Sequence, residues 1–382
     1  MKILHVVPSY YPAVHYGGPI YAIHQLCKAQ TELGLQVDVF TTNRNGSGVS
    51  EVPVGVPVNI DGVNVYYFSC IRLMKFWYYS HRMRKAFGDK LNCYDFIHIH
   101  SVFLWPTFGA ANFANKNTIP YCISPRGSLV ASLIKYKSRL RKLIYISIFE
   151  KKNLIGAKFI HATSDLEAFE IRQLDLKIKD IEVVPNGVEL SNYDAPQSKD
   201  IYDFPYLLYL GRISWKKRIN LLIRAMPNIN KQFKLVVAGN DEDGERFKLE
   251  EIVKELNLND RVFFIGFVQG DEKIRLLKGS SLMILPSENE NFGNVILEAW
   301  ACRKPVAVSR SVGLADFVAK HNAGILISSS PQLMAEEINS LLNDKESLRE
   351  LGENGFGIAD SNFKWSSVAK KFHTLYEKYS LN

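Results

Sequence analysis

The chain has 382 residues, enough for two domains, and its 47% hydrophobic and 23% charged residues are typical of a globular protein rather than a disordered or membrane-spanning one. The net charge of +8 lies in residues 1–190, which hold 22 basic and 14 acidic residues, while the remainder holds 25 of each. No nucleic-acid-binding motif accompanies this charge, and the five cysteines are too dispersed for a CxxC metal or redox pair, so neither class of function is expected.

Short apolar runs, which predict strands, alternate with longer amphipathic runs, which predict helices, along the whole chain. The predicted strands are Ile3–Val7, Val37–Thr41, Val63–Phe68, Phe96–His100, Tyr121–Ser124, Phe159–Ala162, Glu182–Val184, Tyr206–Leu210, Lys234–Ala238, Val262–Ile265, Leu282–Leu285, Val306–Val308 and Gly324–Ile327. The predicted helices include Ile20–Leu33, Arg139–Asn153, Ile219–Ile229, Arg246–Leu256, Ala335–Leu342 and Trp365–Tyr379. Such alternation is typical of parallel sheets covered by helices, and this many strands require two sheets. We therefore predict an α/β protein with two domains.

The start of the chain predicts a first strand and a tight turn before the first helix. The opening apolar run ends at Pro8, too early for the core of a signal peptide, so we expect a cytoplasmic protein. Gly17 and Gly18 follow, and glycines at a helix start let a phosphate approach the backbone, although a simple tight turn is the alternative. The GxGxxG pattern of NAD-binding proteins is absent, and no acid ends the second strand as a ribose ligand would.

Two segments of the first half mix basic residues with aromatic or aliphatic ones, namely Arg72–Lys85 and Lys135–Lys142. This pattern favours an anionic membrane surface or an acidic ligand, although a solvated basic helix face explains it equally well. His98 and His100 share one face of a predicted strand, as a metal-binding pair would. Because no further ligand accompanies them, we interpret both histidines as core or cleft-wall residues.

A polar segment with two prolines, Glu189–Pro205, is the predicted linker between the domains. We place the first domain at 1–190, the linker at 191–205, the second domain at 206–362 and an amphipathic C-terminal helix at 363–382.

The segment YLGRISWKKRINLLIRA, Tyr209–Ala225, places two cations where a buried strand ends. The strand stops at Gly211, and Arg212 and Lys217 follow before the next helix. Two bases at this edge of a parallel sheet can neutralise a diphosphate, arginine through its fork and lysine as a point charge. An ordinary basic loop is the alternative.

The segment SENENFGNVILEA, Ser287–Ala299, predicts a strand–loop–helix unit with one acid in the loop and a second in the helix. The helix would begin near Gly293, and the backbone N–H groups of a helix N-terminus favour an anion. A diphosphate sugar matches this pattern, with its phosphates at the helix start, its sugar at Glu290 and its ribose at Glu298. The alternative is an unrelated pair of surface glutamates.

These segments together resemble the group 1 glycosyltransferases (family GT4), which have the GT-B fold. The motifs GRISWKK, VVAGN, VFFIGFV and PSENENFGNVILEAWACRKPV occur in the family's order between residues 205 and 310, and IHATS and VVPNGVE precede them. The resemblance covers nearly the whole chain. It implies two Rossmann-like domains facing a cleft, with the C-terminal helix crossing back to the first domain. It also implies retaining transfer from a nucleotide-sugar donor without a metal, because cationic side chains stabilise the departing diphosphate.

The resemblance also assigns the site residues. Arg212 and Lys217 would stabilise the diphosphate, Glu290 would contact the donor sugar, and Glu298 the ribose. The other residues assigned to the donor site are Gly17, Gly18, Gly239, Phe292, Gly293, Asn294 and Val295, those from 292 to 295 through their backbone.

One position departs from the family. Many members carry a histidine after a middle strand of the first domain, where this chain has SPRG, so Arg126 is the candidate substitute. Asp241-Glu242-Asp243 imitates a DxD metal motif. Because the family needs no metal, we interpret it as a solvated turn.

The expected function is transfer of a hexose or N-acetylhexosamine from a UDP- or GDP-sugar to a glycan hydroxyl, in bacterial surface polysaccharide or lipopolysaccharide biosynthesis. YCISPRG resembles polysaccharide-building members, and a lipid-linked acceptor would place the basic first half on the inner face of the cell membrane. No cofactor or metal is expected beside the nucleotide-sugar substrate. The alternatives are another GT-B enzyme, such as a nucleotide-sugar epimerase or a soluble-acceptor transferase, and a non-catalytic assembly partner.

Overall fold

The structure is a computed structural model that describes residues 1–13, 18–46, 48–71, 77–129, 146–194, 201–242 and 244–380. The chain divides into two compact units. The first comprises Met1–Gly187 and Trp365–Asn382, and the second comprises Val188–Lys364. Part of the predicted linker, residues 195–200, lies outside the described residues.

The first unit is built on an eight-stranded sheet with the order β10-β9-β8-β7-β1-β2-β6-β5. Its strands are β1 (Lys2–Ser9), β2 (Gln36–Thr42), β5 (Pro57–Ile60), β6 (Val63–Phe68), β7 (Phe96–His100), β8 (Tyr121–Ser124), β9 (Phe159–Ala162) and β10 (Ile181–Val183), and β3 (Arg44–Asn45) and β4 (Gly48–Val49) form a separate ribbon. All pairs in the large sheet are parallel except β5 with β6. The described helices of this half are α1 (Gly18–Glu32), α2 (His81–Lys90), α3 (Trp105–Lys116), α4 (Lys151–Gly156) and α5 (Asp165–Arg172).

The second unit has a six-stranded parallel sheet with the order β13-β12-β11-β14-β15-β16. Its strands are β11 (Tyr206–Leu210), β12 (Lys234–Ala238), β13 (Val262–Gly266), β14 (Leu282–Leu285), β15 (Val306–Ser309) and β16 (Gly324–Ile327). Its helices are α6 (Ile219–Ala225), α7 (Glu245–Glu255), α8 (Gly270–Gly279), α9 (Asn294–Ala301), α10 (Ala315–Lys320), α11 (Pro331–Leu342) and α12 (Lys345–Asn362). The central strands are buried along their whole length, which explains their unbroken apolar sequences.

The predicted strands are all confirmed to within about two residues, and the differences have local causes. Strand β5 was not predicted, because this edge strand is only half-buried and has only four residues. The predicted helix Ile219–Ile229 ends at Ala225, because Pro227 cannot donate the next helical hydrogen bond. Of the predicted helix Arg139–Asn153, the structure describes a π-helical turn, Ile146–Glu150, and then α4.

The last helix, α13 (Trp365–Ser380), packs against α1 in the first unit, as the family resemblance implied. Its apolar stripe is buried, and the ring of Tyr376 lies 4.7 Å from that of Phe96 on β7. No helix in the described ranges is both long enough and apolar enough to cross a membrane.

The order of strands reverses beside the first strand of each sheet. In the first unit β1 lies between β2 and β7, and in the second unit β11 lies between β12 and β14. Loops that leave the carboxyl ends of such a pair turn to opposite faces of the sheet, and the crevice between them is the usual ligand site of open α/β sheets. The fold therefore directs attention to the loops after β1 and β7, and to those after β11 and β14.

Gly239, at the end of β12, sets how closely the neighbouring backbone can approach. A Cβ atom at this position would overlap the carbonyl oxygen of Gly211, and neither backbone can move aside. We expect Gly239→Ala to lower the free energy of unfolding of the second unit by about 3 kcal/mol. Urea unfolding measures this change. Gly357→Ala is the matched control, because a Cβ there meets nothing and α12 is stabilised by alanine. Equal stability of the two variants would contradict the packing role of Gly239.

Candidate functional site

The reversal point of the second sheet brings together the two segments that the sequence singled out. The loop after β11 carries Arg212 and Lys217, and the loop after β14 carries Glu290. A backbone hydrogen bond of 2.8 Å, from the N–H of Glu288 to the carbonyl oxygen of Lys216, joins the two loops directly. The predicted cation and the predicted acid therefore line one crevice, although they are 73 residues apart.

Lys217 donates a hydrogen bond from Nζ to Oε2 of Glu290. The side chains are 12% and 24% exposed, so this ion pair is largely sheltered from solvent. The backbone of Glu290 is fixed on both sides: its N–H donates to Ser311, and its carbonyl oxygen accepts from the N–H of Gly313. The pair is thus a fixed feature of the crevice rather than a mobile surface contact.

The loop 212–218 concentrates positive charge, because it holds Arg212, Lys216, Lys217 and Arg218. Burial lowers the pKa of Lys216, and the charges of Arg212 and Lys217 lower it further. Arg212 pairs with Glu242 at 3.1 Å, with both side chains about half-exposed, and Arg218 pairs with Glu288. Since an anion relieves repulsion among these cations, the loop favours a negatively charged ligand.

Gly293 precedes α9 and adopts a left-handed conformation with φ of 94°. A Cβ atom here would lie 2.9 Å from Cδ1 of Ile296 and 3.2 Å from Cγ1 of Val312, so both the backbone and the packing require glycine. The side chain of Phe292 is buried and packs against Phe363, so only its backbone is placed to meet a ligand. Asn294 and Val295 form the first turn of α9. The predicted strand–loop–helix unit is confirmed.

Glu298 lies on α9, where it accepts a hydrogen bond of 2.9 Å from Nζ of Lys273 on α8. The two acids of the motif therefore have different lysine partners: Glu290 pairs with the loop after β11, and Glu298 pairs with a helix.

The loop after β12 contains Gly239 and the DxD-like residues. The N–H of Gly239 donates to Gly266 at the end of β13. Asp241 accepts from the N–H of Arg246 at the start of α7, and Glu242 pairs with Arg212, while Asp243 lies outside the described residues. Asp241 and Glu242 thus have structural partners, and the expectation that no metal takes part stays a prediction.

In the first unit, Arg126 follows β8 in a left-handed conformation with φ of 52°. Its Nη1 donates to Oδ1 of Asn186 at 2.6 Å. Burial lowers its pKa to about 10, so the guanidinium stays charged at neutral pH. Gly18 is the first residue of α1, and Gly17 lies outside the described residues.

The predicted basic segments are only partly described. Residues 72–76 and the whole of Lys135–Lys142 lie outside the described residues. Within α2, Arg82, Arg84 and Lys85 are exposed. His98 and His100 are buried, and His5 joins them, with ring nitrogens of all three within 4.8 Å of one another. Both nitrogens of His5 and of His98 hydrogen-bond to protein groups, which supports the interpretation of these histidines as core residues.

The loop after β7 is held by a buried acid. Oε1 of Glu150 accepts a hydrogen bond of 2.9 Å from the N–H of Phe103. Ser101 and Phe103 both have positive φ, which is costly for residues with side chains and is frequent at functional sites. Burial raises the pKa of Glu150 from 4.5 to about 7.

Comparison with known proteins identifies the family. Residues 17–187 match the model of the glycosyl transferase 4-like domain, and residues 194–357 match that of glycosyl transferases group 1. An uncharacterized glycosyltransferase of Methanocaldococcus jannaschii is 29% identical over 405 residues, which cover 99% of this chain and 98% of the relative. A second one from that organism is 30% identical over 290 residues, covering 75% of this chain and 76% of the relative. The chain belongs to the group 1 glycosyltransferases.

Solved structures agree with this fold. Sucrose-phosphate synthase from Thermosynechococcus elongatus superimposes with a TM-score of 0.78 at 23% identity, covering 99% of this chain and 98% of that one. HepE of Anabaena, in complex with UDP and glucose, superimposes with a TM-score of 0.75 at 19% identity, covering 99% of this chain and 100% of that one. The predicted GT-B fold and the predicted family are confirmed.

In this glycosyltransferase, sequence reasoning found the residues that lie next to strand ends and missed their distant partners. Lys273, the partner of Glu298, carried no local signal, and neither did the contact of Lys216 with Glu288. The hairpin of β5 and β6 could have been predicted from the sequence, because Asp61 and Gly62, both with positive φ, form a typical two-residue hairpin turn.

Two of the three described ion pairs of the loop 212–218, Lys217–Glu290 and Arg212–Glu242, differ in solvent exposure, so breaking each should lower the stability by a different amount. Lys217→Met leaves Glu290 sheltered without its partner, and we expect a loss of about 1–2 kcal/mol in unfolding free energy. Arg212→Met breaks a pair whose side chains are 50% and 41% exposed, so it should cost under about 0.5 kcal/mol. Urea unfolding of both variants tests this. The double variant Lys217→Met/Glu290→Gln should recover part of the loss, and equal losses in the two single variants would contradict the assignment.

Glu150 should make stability depend on pH in a defined window. Its pKa is higher in the folded protein than in the unfolded chain, so its contribution is fully present below pH 4.5 and is lost as the pH rises to about 7. The unfolding free energy of the wild type relative to Glu150→Gln should therefore fall by about 3 kcal/mol across this window. Chemical unfolding at a series of pH values measures the difference, and parallel profiles would show that Glu150 titrates normally.

Proposed function

We propose that this protein is a retaining, metal-independent hexosyltransferase that moves a hexose or N-acetylhexosamine from a UDP- or GDP-sugar to a glycan hydroxyl. The observation that carries the proposal is the cationic loop 212–218 held against Glu290 at the reversal point of the second sheet. A nucleotide diphosphate supplies the anion that this loop favours. The complexes of HepE with UDP and with UDP-glucose support UDP as the first nucleotide to test.

Arg212 and Lys217 would bind the diphosphate. Each now pairs with one carboxylate, Glu242 and Glu290 respectively, and a diphosphate carries enough negative charge to compete with both. The first turn of α9, after Gly293, would add backbone N–H groups, and Gly239, Gly17 and Gly18 are the other glycines proposed for phosphate contacts. Glu290 would hold hydroxyls of the donor sugar, and Glu298 the ribose.

The proposed reaction is a same-face substitution. The bond between the anomeric carbon and the diphosphate oxygen breaks, and the bond to the acceptor oxygen forms on the same face. The acceptor's proton passes to the departing phosphate oxygen, so no protein carboxylate needs to act as nucleophile. Arg212 and Lys217 stabilise the charge that develops on the leaving diphosphate, in the place that a metal ion takes in other enzymes.

We place the acceptor and the membrane on the side of the first unit. The exposed Arg82, Arg84 and Lys85 on α2 give this unit a basic surface, which suits the inner face of an anionic membrane and a lipid-linked glycan. Surface polysaccharide or lipopolysaccharide biosynthesis is the pathway class that needs such an acceptor. Arg126 would take the place of the family's histidine beside the donor sugar.

Calorimetric titration with UDP, GDP and ADP, with and without EDTA, tests the donor site. We expect micromolar binding of one nucleotide, unchanged by EDTA. Arg212→Ala and Glu298→Ala should weaken it by about tenfold or more, since each removes a charge-assisted hydrogen bond. Arg349→Ala and Glu346→Ala, which break an exposed ion pair on α12, are the matched controls. Turnover by Arg212→Ala at the wild-type rate would overturn the diphosphate assignment.

Two measurements separate the alternative functions: UDP release from a nucleotide sugar, with and without a glycan acceptor, and the nucleotide titration itself. Release of UDP only when a glycan acceptor is present indicates transfer, whereas conversion of the nucleotide sugar without release indicates an epimerase. Failure of the wild type to bind any nucleotide would overturn the proposal in favour of an assembly partner.

A further inference from the structure

The outer edge of the second sheet carries a groove, and none of the residues that line it is assigned to the donor site. Strand β13 is the last strand of its sheet, and no strand in the described ranges pairs with its outer side. A cavity of about 440 Å³ lies along this side, lined by the consecutive strand residues 262–265. Phe263, Phe264 and Ile265 are only half-buried, so the cavity is open to solvent. We name it the edge groove.

The two walls of the edge groove lie on opposite faces of the sheet, because successive side chains of a strand point to opposite faces. On one face, the ring of Phe263 stacks with that of Phe204 at 5.8 Å, and Phe204 stacks with Tyr202 at 4.9 Å. On the other face, Cζ of Arg246 on α7 lies 5.5 Å from the centre of the Phe264 ring. An aromatic wall and a helical wall therefore flank the strand edge.

The floor of the edge groove consists of backbone groups. In a parallel ladder, alternate residues direct their N–H and C=O groups to opposite neighbours. The N–H of Leu235 on β12 donates to Arg261 at 2.7 Å, and Leu235 is in register with Val262. The bonds of β13 to β12 therefore come from Arg261 and Phe263, and both backbone groups of Phe264 point to the open edge. Phe264 has no hydrogen bond outside the sheet among the described residues.

The lining of the edge groove carries an excess of positive charge. Nε of Arg246 donates to Oε1 of Glu250 at 2.7 Å, so these two opposite charges are paired. Lys254 lies one turn further along α7, lines the groove, is exposed, and has no ion-pair partner in the part of the chain that the structure describes. On the aromatic wall, Nζ of Lys234 lies 4.1 Å from the centre of the Phe204 ring. The groove therefore favours an acidic occupant.

The sequence of the strand leaves its edge available for pairing. Edge strands of natural proteins are commonly protected by a charged residue or a proline within the strand. Residues 262–266 read VFFIG and contain neither. The charges lie on the helical wall instead, at Arg246 and Lys254, where they repel a basic strand and attract an acidic one.

We propose that the edge groove binds an extended acidic segment of a partner protein, which adds to the second sheet as a strand beside β13. The segment forms backbone hydrogen bonds with Phe264. Its side chains alternate between the two walls, so acidic residues face Arg246 and Lys254, and apolar residues face Tyr202 and Phe204. The proposal is independent of the proposed function, because no residue of the groove binds the nucleotide sugar in that function.

Charge argues against a second copy of this chain as the occupant. Two identical strands pair at such an edge about a two-fold axis, which places a residue on the axis opposite its own copy. With Phe264 at the axis, the two Arg246 side chains would meet, since each lies over the ring of Phe264. Like charges directly opposite each other are destabilising, whereas an acidic segment meets complementary charge.

Fluorescence polarisation with short labelled peptides and the full-length protein tests the proposal. The probe alternates acidic and apolar residues in the order Glu-Val-Glu-Phe-Glu-Val-Glu, and the control peptide has lysine in place of every glutamate. We expect saturable binding of the acidic peptide, at least about tenfold tighter than that of the basic peptide, because only the acidic one complements the charge of the groove.

Two charge reversals on α7 locate the binding site. Lys254→Glu should weaken binding of the acidic peptide about five- to tenfold, since it replaces an attraction by a repulsion. Lys248→Glu is the matched control, because it makes the same change on the same helix at a residue that does not line the groove. Both lysines are exposed, so both variants should keep the wild-type fold, which circular dichroism checks. Equal effects of the two variants would overturn the proposal, because they would show attraction by net charge alone.

Methylation of the peptide's backbone nitrogens tests the strand pairing. An extended peptide directs alternate N–H groups to the same side, so methylation of one alternate set removes the bonds to β13 and methylation of the other set leaves them. We expect one set to weaken binding by about tenfold or more and the other to have little effect. Equal effects of the two sets would contradict strand addition.

Two further outcomes would overturn the proposal. One is the absence of saturable binding of the acidic peptide to the wild-type protein. The other is a dimer in sedimentation velocity that the acidic peptide dissociates, because a second copy would then be the natural occupant of the groove. Neither outcome bears on the proposed function, which the nucleotide titration tests separately.

Discussion

The reversal of strand order beside β1 and β11 is the constraint on which the candidate residues of both units depend. A strand with parallel neighbours on both sides needs crossovers that leave in opposite directions, so the loops at its carboxyl end separate and leave a crevice. In the second unit this crevice receives the loops that carry Lys217 and Glu290. In the first unit it receives the end of β7, where His100 lies. The same reversal of strand order thus locates candidate residues in each unit, although the two sets of residues share no sequence motif.

The crevice of the second unit holds its charges in matched pairs. Arg212, Lys217 and Arg218 each have a carboxylate partner, so the loop reaches the folded state without several unpaired cations in contact. The remaining excess of positive charge affects Lys216. Burial lowers the pKa of this lysine, and its cationic neighbours lower it further. A ligand with two negative phosphates would therefore meet cations that are already positioned, and it would have to compete with Glu242 and Glu290 for them. This arrangement lowers the conformational cost of binding, because few side chains need to be newly ordered.

The sequence predicted those parts of the fold and of the candidate site that depend on residues close together along the chain. Buried strands such as Tyr206–Leu210 show as apolar runs, and Gly293 shows as a break between a loop and an apolar helix. The partners that complete the sites are distant in sequence: Lys273 for Glu298, and Tyr376 for His98. No periodicity connects residues 278 positions apart, so the hydrogen bond between His98 and Tyr376 could not be predicted, and the sequence showed only two histidines on one strand face.

Arg126 links the departure from the family's pattern to the chemistry of the first unit. Burial is the main cause of the lowered pKa of His5, His98, His100 and His161, and the positive charge of Arg126 opposes their protonation further.

The lowered pKa values also fix the sign of the unit's response to acid. These four histidines bind more protons in the unfolded chain than in the folded protein below about pH 6.5, so their contribution to stability falls as the pH falls. Glu150 acts with the opposite sign, since its contribution is lost as the pH rises toward 7. Burial of the four rings, with a smaller contribution from the charge of Arg126, thereby keeps the histidines neutral near pH 7.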